Sequence, residues 1–169
     1  MVEMEKVGTN IIAEDFEYGE NFEIGHYNII YPKCKVGDNV KLRSNIELRP
    51  RTIFGDNCYI DSGVKSSGKN YISDGVTLRY DSIIARGCRI EEGVYICPQV
   101  MTNNVNHEGD QVGGATVGKD CFIGTQTVLS AGIEIVEGTI VGSCAMVTKD
   151  IKEKGVYVGV PAKKIRDID

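Results

Sequence analysis

The chain has 169 residues, of which 41% are hydrophobic and 25% charged, and its formal net charge is −5 at pH 7. Without a run of basic residues, this balance argues against general binding of nucleic acid or of an anionic membrane. No apolar stretch approaches the roughly 18 residues of a membrane span, and the first residues lack the pattern of a signal peptide. The six cysteines form no CxxC pair, so we expect reduced thiols and a cytoplasmic protein.

A large apolar residue recurs at every sixth position, and we call these positions anchors. A period of six fits neither an α-helix nor a strand with one buried face, but it is typical of β-solenoids built from hexapeptide repeats. The first block of anchors, with one polar member, is Ile12, Tyr18, Ile24, Ile30, Val36, Leu42, Leu48, Phe54, Ile60, Ser66, Ile72, Leu78, Ile84, Ile90 and Ile96. The second block is Val117, Ile123, Leu129, Ile135, Val141 and Val147.

The other positions of each hexad agree with this interpretation. The fourth residue after an anchor is usually small or of modest size, and we expect it to face inward. Cysteine occupies that position four times, where it would act as a small hydrophobic side chain. The residue directly after the anchor is often glycine, and we expect these glycines to supply an unusual φ at the corners. The four inward cysteines are Cys34, Cys58, Cys88 and Cys121.

Counting hexads predicts an all-β chain, a left-handed parallel β-helix of about seven coils in a single domain, 1–169. With three hexads per turn, residues 12–101 form coils one to five and residues 117–152 form coils six and seven. Residues 102–116 fall outside the register and are predicted to form one protruding loop, and residues 153–169 a short C-terminal capping tail. The triangular, left-handed form is inferred from known solenoids of the same period.

The C-terminal sequence of residues 141–166, VGSCAMVTKDIKEKGVYVGVPAKKIR, carries a resemblance to a known family. It contains a Gly-x-Pro-Ala-Lys element from Gly159 to Lys163. In this respect the chain resembles the hexapeptide-repeat acyltransferases, and it looks most like the sugar-nucleotide N-acetyltransferases. The resemblance implies acetyl-CoA as the acyl donor and a homotrimer whose active sites lie between subunits.

The same resemblance implies where the cofactor would bind. The pantetheine arm would lie along the final coils, where its amides need backbone partners. The best candidates for phosphate contacts are Lys149 and Lys163, as mobile point charges. The small corner residues that match the cofactor cleft are Gly124, Thr125, Gly142 and Ser143.

The out-of-register segment from Thr102 to Thr116 is where we expect the acceptor to react. It is polar and has no apolar period, and long loops in regular folds are often functional. Acyl transfer needs a deprotonated nucleophile and a stabilised oxyanion. His107 is the natural general base, because histidine changes charge in the physiological range, and Glu108 could orient it. Candidate substrate-binding residues are Asn103, Asn104 and Asn106.

Two kinds of acceptor stay open at this point. The loop sequence resembles both xenobiotic O-acetyltransferases and N-acetyltransferases that act on nucleotide-linked amino sugars of surface polysaccharides. We favour a small-molecule acceptor of the second kind, a nucleotide-linked amino sugar, because the chain is compact and the longer C-terminal helical extension of the xenobiotic enzymes is missing after Arg166. A non-catalytic solenoid scaffold is the third hypothesis. No metal is expected, since two histidines cannot supply the three-His zinc site of related carbonic anhydrases.

Overall fold

A computed structural model describes residues 3–168 and divides them into 25 β-strands. The first thirteen strands are β1 (Met4–Val7), β2 (Asn10–Ala13), β3 (Glu17–Tyr18), β4 (Glu23–Ile24), β5 (Ile29–Ile30), β6 (Lys35–Val36), β7 (Lys41–Leu42), β8 (Glu47–Leu48), β9 (Ile53–Phe54), β10 (Tyr59–Ile60), β11 (Lys65–Ser66), β12 (Tyr71–Ile72) and β13 (Thr77–Leu78). The other twelve are β14 (Ile83–Ile84), β15 (Arg89–Ile90), β16 (Tyr95–Ile96), β17 (Met101–Thr102), β18 (Thr116–Val117), β19 (Phe122–Ile123), β20 (Val128–Leu129), β21 (Glu134–Ile135), β22 (Ile140–Val141), β23 (Met146–Val147), β24 (Val156–Val158) and β25 (Lys163–Arg166).

The strands form the three faces of a prism. Face A has the order β1-β2-β5-β8-β11-β14-β17-β20-β23, face B runs from β3 to β21, and face C runs from β4 through β22 to β24 and β25. Successive strands of a face pair in parallel; the antiparallel pairs are β1 with β2 and β24 with β25. The prediction of an all-β parallel solenoid with three hexads per turn is therefore confirmed. The coils number about eight, because β17 and β24 add to the strands of the seven coils that the hexads predicted.

The anchors fill the interior of the prism from the second coil onward. Their side chains from Ile30 to Val147 are buried. The first coil differs: Tyr18 is 64% exposed, and Ile12 and Ile24 are half-buried. These three lie at the end of the stack, where no preceding coil covers them, so the first coil keeps the apolar pattern of the anchors without their burial.

The polar anchor Ser66 belongs to a buried hydrogen-bond network. Its hydroxyl lies 2.6 Å from Oγ1 of Thr52 and accepts a bond of 2.9 Å from Nδ2 of Asn70. Asn70 also accepts the backbone N–H of Cys88 through Oδ1 at 2.8 Å. Because buried polar groups are costly unless they are paired, Ser66 requires these partners.

At the corners, the left-handed φ angle occurs at a different residue from the one predicted. The third residue after the anchor has a left-handed φ, as at Asn39 (φ 56°) and Asn57 (φ 57°). Glycines that directly follow an anchor lack a positive φ. Glycine is needed there because a side chain would clash with the next coil. A Cβ on Gly37 or on Gly55 would collide with the carboxylate of an aspartate in the next coil.

The irregular segment begins after β17 and ends before β18. Thr102, at the start of the predicted loop, is buried in β17, where its Oγ1 accepts the backbone N–H of Ala85 at 2.7 Å. Thr116, at its other end, lies in β18. Residues 103–115 thus leave the prism at the corner that joins face A to face B, which we call corner AB. By the same convention, corner CA joins face C to face A and corner BC joins face B to face C.

Candidate functional site

The protruding loop forms a small hairpin. Val105 and Gln111 form an antiparallel bridge, and the backbone N–H of Val112 donates to the carbonyl of Asn104 at 3.1 Å. The backbone N–H of Asn106 donates to the carbonyl of Asp110 at 3.0 Å. The hairpin therefore presents residues 107–109 at its tip.

His107 and Glu108 occupy this tip, and both are exposed. The turn is closed by Asn106, whose Oδ1 accepts the backbone N–H of Glu108 at 3.0 Å and that of Asp110 at 2.9 Å. Since its side-chain oxygen accepts two hydrogen bonds within the loop, Asn106 stabilises the turn. Asn103 is exposed and Asn104 is half-buried at the base of the hairpin.

The predicted cofactor residues lie on corner CA of the last coils. Gly124 and Gly142 stack directly, and a Cβ on Gly124 would lie 2.5 Å from the backbone nitrogen of Ser143. Thr125 accepts the backbone N–H of Cys144 at 2.8 Å through its carbonyl, while Ser143 is exposed. Close packing of successive coils accounts for the two glycines, of which Gly124 is buried and Gly142 is half-buried.

The C-terminal tail continues this stack. Strand β24 pairs with β22, which places Val158 over Gly142, and a Cβ on Gly142 would lie 2.8 Å from Cγ1 of Val158. Val158 pairs in turn with Lys163 of β25. The structure thus aligns Gly124, Gly142, Val158 and Lys163 in one column, which we call the glycine column.

Lys149 lies on corner AB of the last coil, away from the glycine column. It shares a shallow cavity at the end of the prism with Lys163, and Tyr157 and Ala162 line the same cavity. Both lysines are exposed. The tail is fixed over this end by hydrogen bonds from the N–H of Met146 to the Gly159 carbonyl at 3.0 Å and from the N–H of Ala162 to the Met146 carbonyl at 2.8 Å.

The loop and the glycine column occupy different corners. Residues 103–115 leave from corner AB, whereas Gly124 and Gly142 lie on corner CA, and face A separates the two. Within one chain the predicted acceptor residues are therefore not brought together with the glycine column, and of the predicted cofactor residues Lys149 lies on the corner of the loop.

An ionic cluster on corner CA escaped the sequence analysis. Asp61 is buried, and its carboxylate accepts a hydrogen bond from Nε of Arg79. A second nitrogen of the same guanidinium group, Nη1, donates to the hydroxyl of Tyr95. These two partners raise the pKa of Arg79. The 18-residue spacing from Asp61 to Arg79, one full turn, was the signal that could have revealed the contact.

Five of the six cysteines are buried and unreactive in character. Burial raises the pKa of the Cys58 and Cys121 thiols to about 11, and burial also raises the pKa values of Cys34 and Cys88. Cys144 is exposed on corner CA.

Over residues 3–168 there is no cluster of three or more His, Cys, Asp or Glu side chains that could hold a metal ion. Nor does the same range contain a helix long and apolar enough to cross a membrane.

No protein-family model matches the chain. Among curated proteins, it is 27% identical over 158 residues to "Bifunctional protein GlmU" from Carboxydothermus hydrogenoformans and 28% identical over 182 residues to the protein of that name from Thermodesulfovibrio yellowstonii. These alignments cover 90% and 84% of this chain but 33% and 40% of the relatives. The chain thus spans between a third and two-fifths of their length.

Solved structures share the fold at low sequence identity. A UDP-N-acetylglucosamine acyltransferase from Bacteroides fragilis superposes with a TM-score of 0.75 at 19% identity, over 95% of this chain and 74% of the other. The enzyme of that name from Campylobacter jejuni gives 0.65 at 14% identity, over 94% and 73%. The N-acyltransferase AntD from Bacillus cereus, in complex with dTDP and 3-hydroxybutyryl-CoA, gives 0.53 at 17% identity, over 96% and 81%. These similarities establish the left-handed β-helix fold.

Proposed function

We propose that the chain is an acyltransferase that moves an acetyl group from acetyl-CoA to the amine of a nucleotide-linked amino sugar in surface polysaccharide biosynthesis. The observation that carries the proposal is the glycine column, in which the stacked corner glycines Gly124 and Gly142 lead to the exposed cation of Lys163. A corner that is lined by small residues and ends at a positive charge suits a narrow pantetheine arm that ends in phosphates.

In this proposal the cofactor lies along the glycine column. Thr125 and Ser143 flank the column and would contact the pantetheine arm with their backbone and hydroxyl groups. Lys163 would hold a phosphate, and Lys149, across the cavity at the end of the prism, would hold another. The fold is shared with an N-acyltransferase whose structure contains a CoA thioester, which supports this class of donor.

The separation of loop and glycine column supports a symmetric assembly. Because face A lies between them, the loop of one chain would have to meet the glycine column of a neighbouring chain. A closed cyclic homo-oligomer repeats such a contact at every interface, and three prisms around one axis would form three equivalent sites. We therefore propose a homotrimer with its active sites between subunits, acting on a small molecule in the cytoplasm.

The loop would receive the acceptor. In the proposed step the neutral amine nitrogen attacks the thioester carbonyl, the new C–N bond forms and the C–S bond breaks. The thiolate of CoA, or solvent, takes up the proton of the amine. Asn103 and Asn104 would bind sugar hydroxyl groups, and Asn106 would keep the tip in shape for His107 and Glu108.

A second candidate is O-acetylation of a hydroxyl acceptor. The exposed imidazole of His107 at the tip of a hydrogen-bonded hairpin favours it, because an alcohol, unlike a neutral amine, needs a base to remove its proton in the transition state. Glu108 is next to His107 and would orient the imidazole.

Release of free CoA thiol from acetyl-CoA across a panel of acceptors tests these functions. The panel holds UDP-, GDP- and dTDP-linked amino sugars and the matching sugars that carry a hydroxyl group in place of the amine. Turnover of the amino sugars alone supports N-acetylation, and turnover of the hydroxyl compounds alone overturns it in favour of O-acetylation. Failure to bind acetyl-CoA in calorimetry would leave the third hypothesis, a non-catalytic scaffold.

A further inference from the structure

A column of positive charge runs along corner AB below the loop. It consists of Lys33, Arg51 and Lys69, which lie 18 residues apart and are all exposed, and Arg86 lies beside it one coil further on. The four side chains line one shallow groove together with Pro32 and Pro50. We call Lys33, Arg51, Lys69 and Arg86 the basic column.

Backbone hydrogen bonds place these cations directly above one another. The N–H of Arg51 donates to the carbonyl of Pro32 at 3.4 Å, and the N–H of Lys69 donates to that of Pro50 at 2.9 Å. Coils stack about 4.8 Å apart, so three like charges start from backbone positions within about 10 Å. In a chain with a net charge of −5, such a concentration of positive charge is a local exception.

The cations also occupy an unfavourable backbone position. Lys33, Arg51 and Lys69 have φ angles of 64°, 64° and 53°, in the left-handed region that favours Gly, Asn and Asp. The equivalent position on corner BC holds Asn39 and Asn57, which suit that conformation. Every Lys or Arg with a positive φ between residues 3 and 168 lies on corner AB. Corner CA also holds such residues, as at Tyr27 and Gln99, so the distinctive feature of corner AB is that its non-glycine residues with this φ are all cationic.

Structural pairing does not explain the basic column. In the part of the chain that the structure describes, none of its four cations forms a salt bridge. By contrast, corner BC carries an acidic column in which the carboxylates of Asp56 and Asp74 accept the backbone N–H groups of Asp38 and Asp56 at 2.8 and 2.9 Å. The acidic column therefore has an architectural role. Asp15 plays the same part at the end of the basic column, where its carboxylate accepts the backbone N–H of Lys33 at 3.0 Å, but the four side-chain cations form no ion pair within residues 3–168.

We propose that the basic column binds a diphosphate, as found in a nucleoside diphosphate. Arginine forms paired hydrogen bonds with phosphate oxygens, and lysine supplies point charges. Cations repeated at the coil spacing, with Arg86 beside them, give two neighbouring phosphates several donors each. This groove lies on corner AB and is separate from the glycine column on corner CA.

The position of the groove indicates which ligand would carry the diphosphate. Gly87, which follows Arg86, lies beneath the end of the protruding loop, since a Cβ there would lie 3.5 Å from the backbone nitrogen of Gly114. A ligand held by the basic column could thus extend toward the hairpin. That this diphosphate belongs to the nucleotide-linked acceptor rests on the proposed function; diphosphate binding itself does not.

Calorimetry with inorganic pyrophosphate and with UDP tests the site directly. The double variant Arg51→Asn/Lys69→Asn should bind both at least about tenfold more weakly, because it loses charge-assisted hydrogen bonds. Its melting temperature should be equal or higher, since Asn suits the left-handed backbone. The matched control is Lys35→Asn/Lys41→Asn, which removes two exposed lysines paired with Glu17 and Glu23 and should change affinity less than about twofold.

Three outcomes would overturn the proposal. They are no binding of pyrophosphate or UDP by the wild-type chain, an equal loss of affinity in the control, and binding confined to phosphatidylserine vesicles, which would indicate a membrane surface. Thiol release with acetyl-CoA is measured on the same samples. Acetyl transfer without diphosphate binding would refute this inference alone, whereas diphosphate binding without acetyl transfer would refute only the proposed function.

Discussion

The side-chain oxygen of Asn106 accepts the backbone N–H of Asp110 at 2.9 Å, and this bond closes the turn that carries His107. The Asn106→Ala variant should therefore loosen the turn without touching the acceptor. We expect kcat to fall about tenfold, in line with the sensitivity of catalysis to small misplacements, with unchanged KM for acetyl-CoA and an unchanged melting temperature.

The control for this prediction is Asn106→Asp, which keeps an acceptor oxygen at the same position and should retain most of the activity. Steady-state kinetics with each substrate varied in turn provide the measurement. If Asn106 instead binds the acceptor directly, the main change in Asn106→Ala will be a higher KM for the acceptor.

His107 separates the two chemistries proposed for the loop. The His107→Ala variant should lower transfer to a hydroxyl acceptor by roughly 10² to 10⁴, the usual contribution of a general base. Transfer to an amine should fall less than about tenfold, because a neutral amine attacks without prior loss of a proton. The comparison is of kcat/KM for matched amino and hydroxyl sugars, and undiminished transfer to the alcohol would remove His107 from the mechanism.

The sequence predicted the fold because its strongest signal is also the main packing constraint. A buried anchor at every sixth residue, as at Ile60 and Leu78, fixes strand, corner and coil together. The first coil departed from the pattern at Tyr18, because burial needs a preceding coil that sequence periodicity cannot supply. The glycines that follow an anchor do lie at the corners, as expected, but the predicted reason was wrong, since contact with the next coil, rather than φ, requires them.

The candidate site was only partly accessible from the sequence. Local features such as the loop and Lys163 stand out in a linear reading, and the structure adds the alignment of Lys163 with Gly142. The basic column was missed because Lys33, Arg51 and Lys69 are dispersed when the sequence is scanned for basic runs. A scan at the coil period of 18 residues brings them together, and the same scan pairs Asp61 with Arg79.

Lys163 ends the glycine column and should hold a cofactor phosphate. We expect Lys163→Ala to raise the KM for acetyl-CoA about three- to tenfold with little change in kcat, because a phosphate far from the thioester contributes uniform binding. Lys152→Ala is the control, since Lys152 is exposed at the same end of the prism. Acetyl-dephospho-CoA sharpens the test: if Lys163 binds the 3′-phosphate, the variant and the wild type should have equal KM values for it.

Gly124 should be intolerant of a side chain for a structural reason. In Gly124→Ala the new methyl group would meet the backbone nitrogen of Ser143 at 2.5 Å, and backbone cannot move aside without separating two coils. We expect a loss of about 1 to 3 kcal/mol in the free energy of unfolding, measured by urea denaturation. The neighbouring change Thr125→Ala is the control and should cost less; equal stability of Gly124→Ala and the wild type would contradict the stacking described for this corner.

Two buried thiols should make the fold sensitive to alkali. The pKa values of Cys58 and Cys121 are raised by burial from 9.0 to about 11, so above pH 9 the unfolded chain loses these protons before the folded chain does. The stability they contribute is complete below pH 9 and is lost as pH rises toward 11, by about 2 kcal/mol for each thiol.

The double variant Cys58→Ala/Cys121→Ala places at both sites a residue that the repeat already uses at the equivalent Ala145. Denaturation at pH 8, 9, 10 and 11 should show a steeper decline in the wild type than in the variant. Because the tyrosines and lysines titrate alike in both, parallel curves would mean that the two thiols ionise as easily in the folded chain as in the unfolded one.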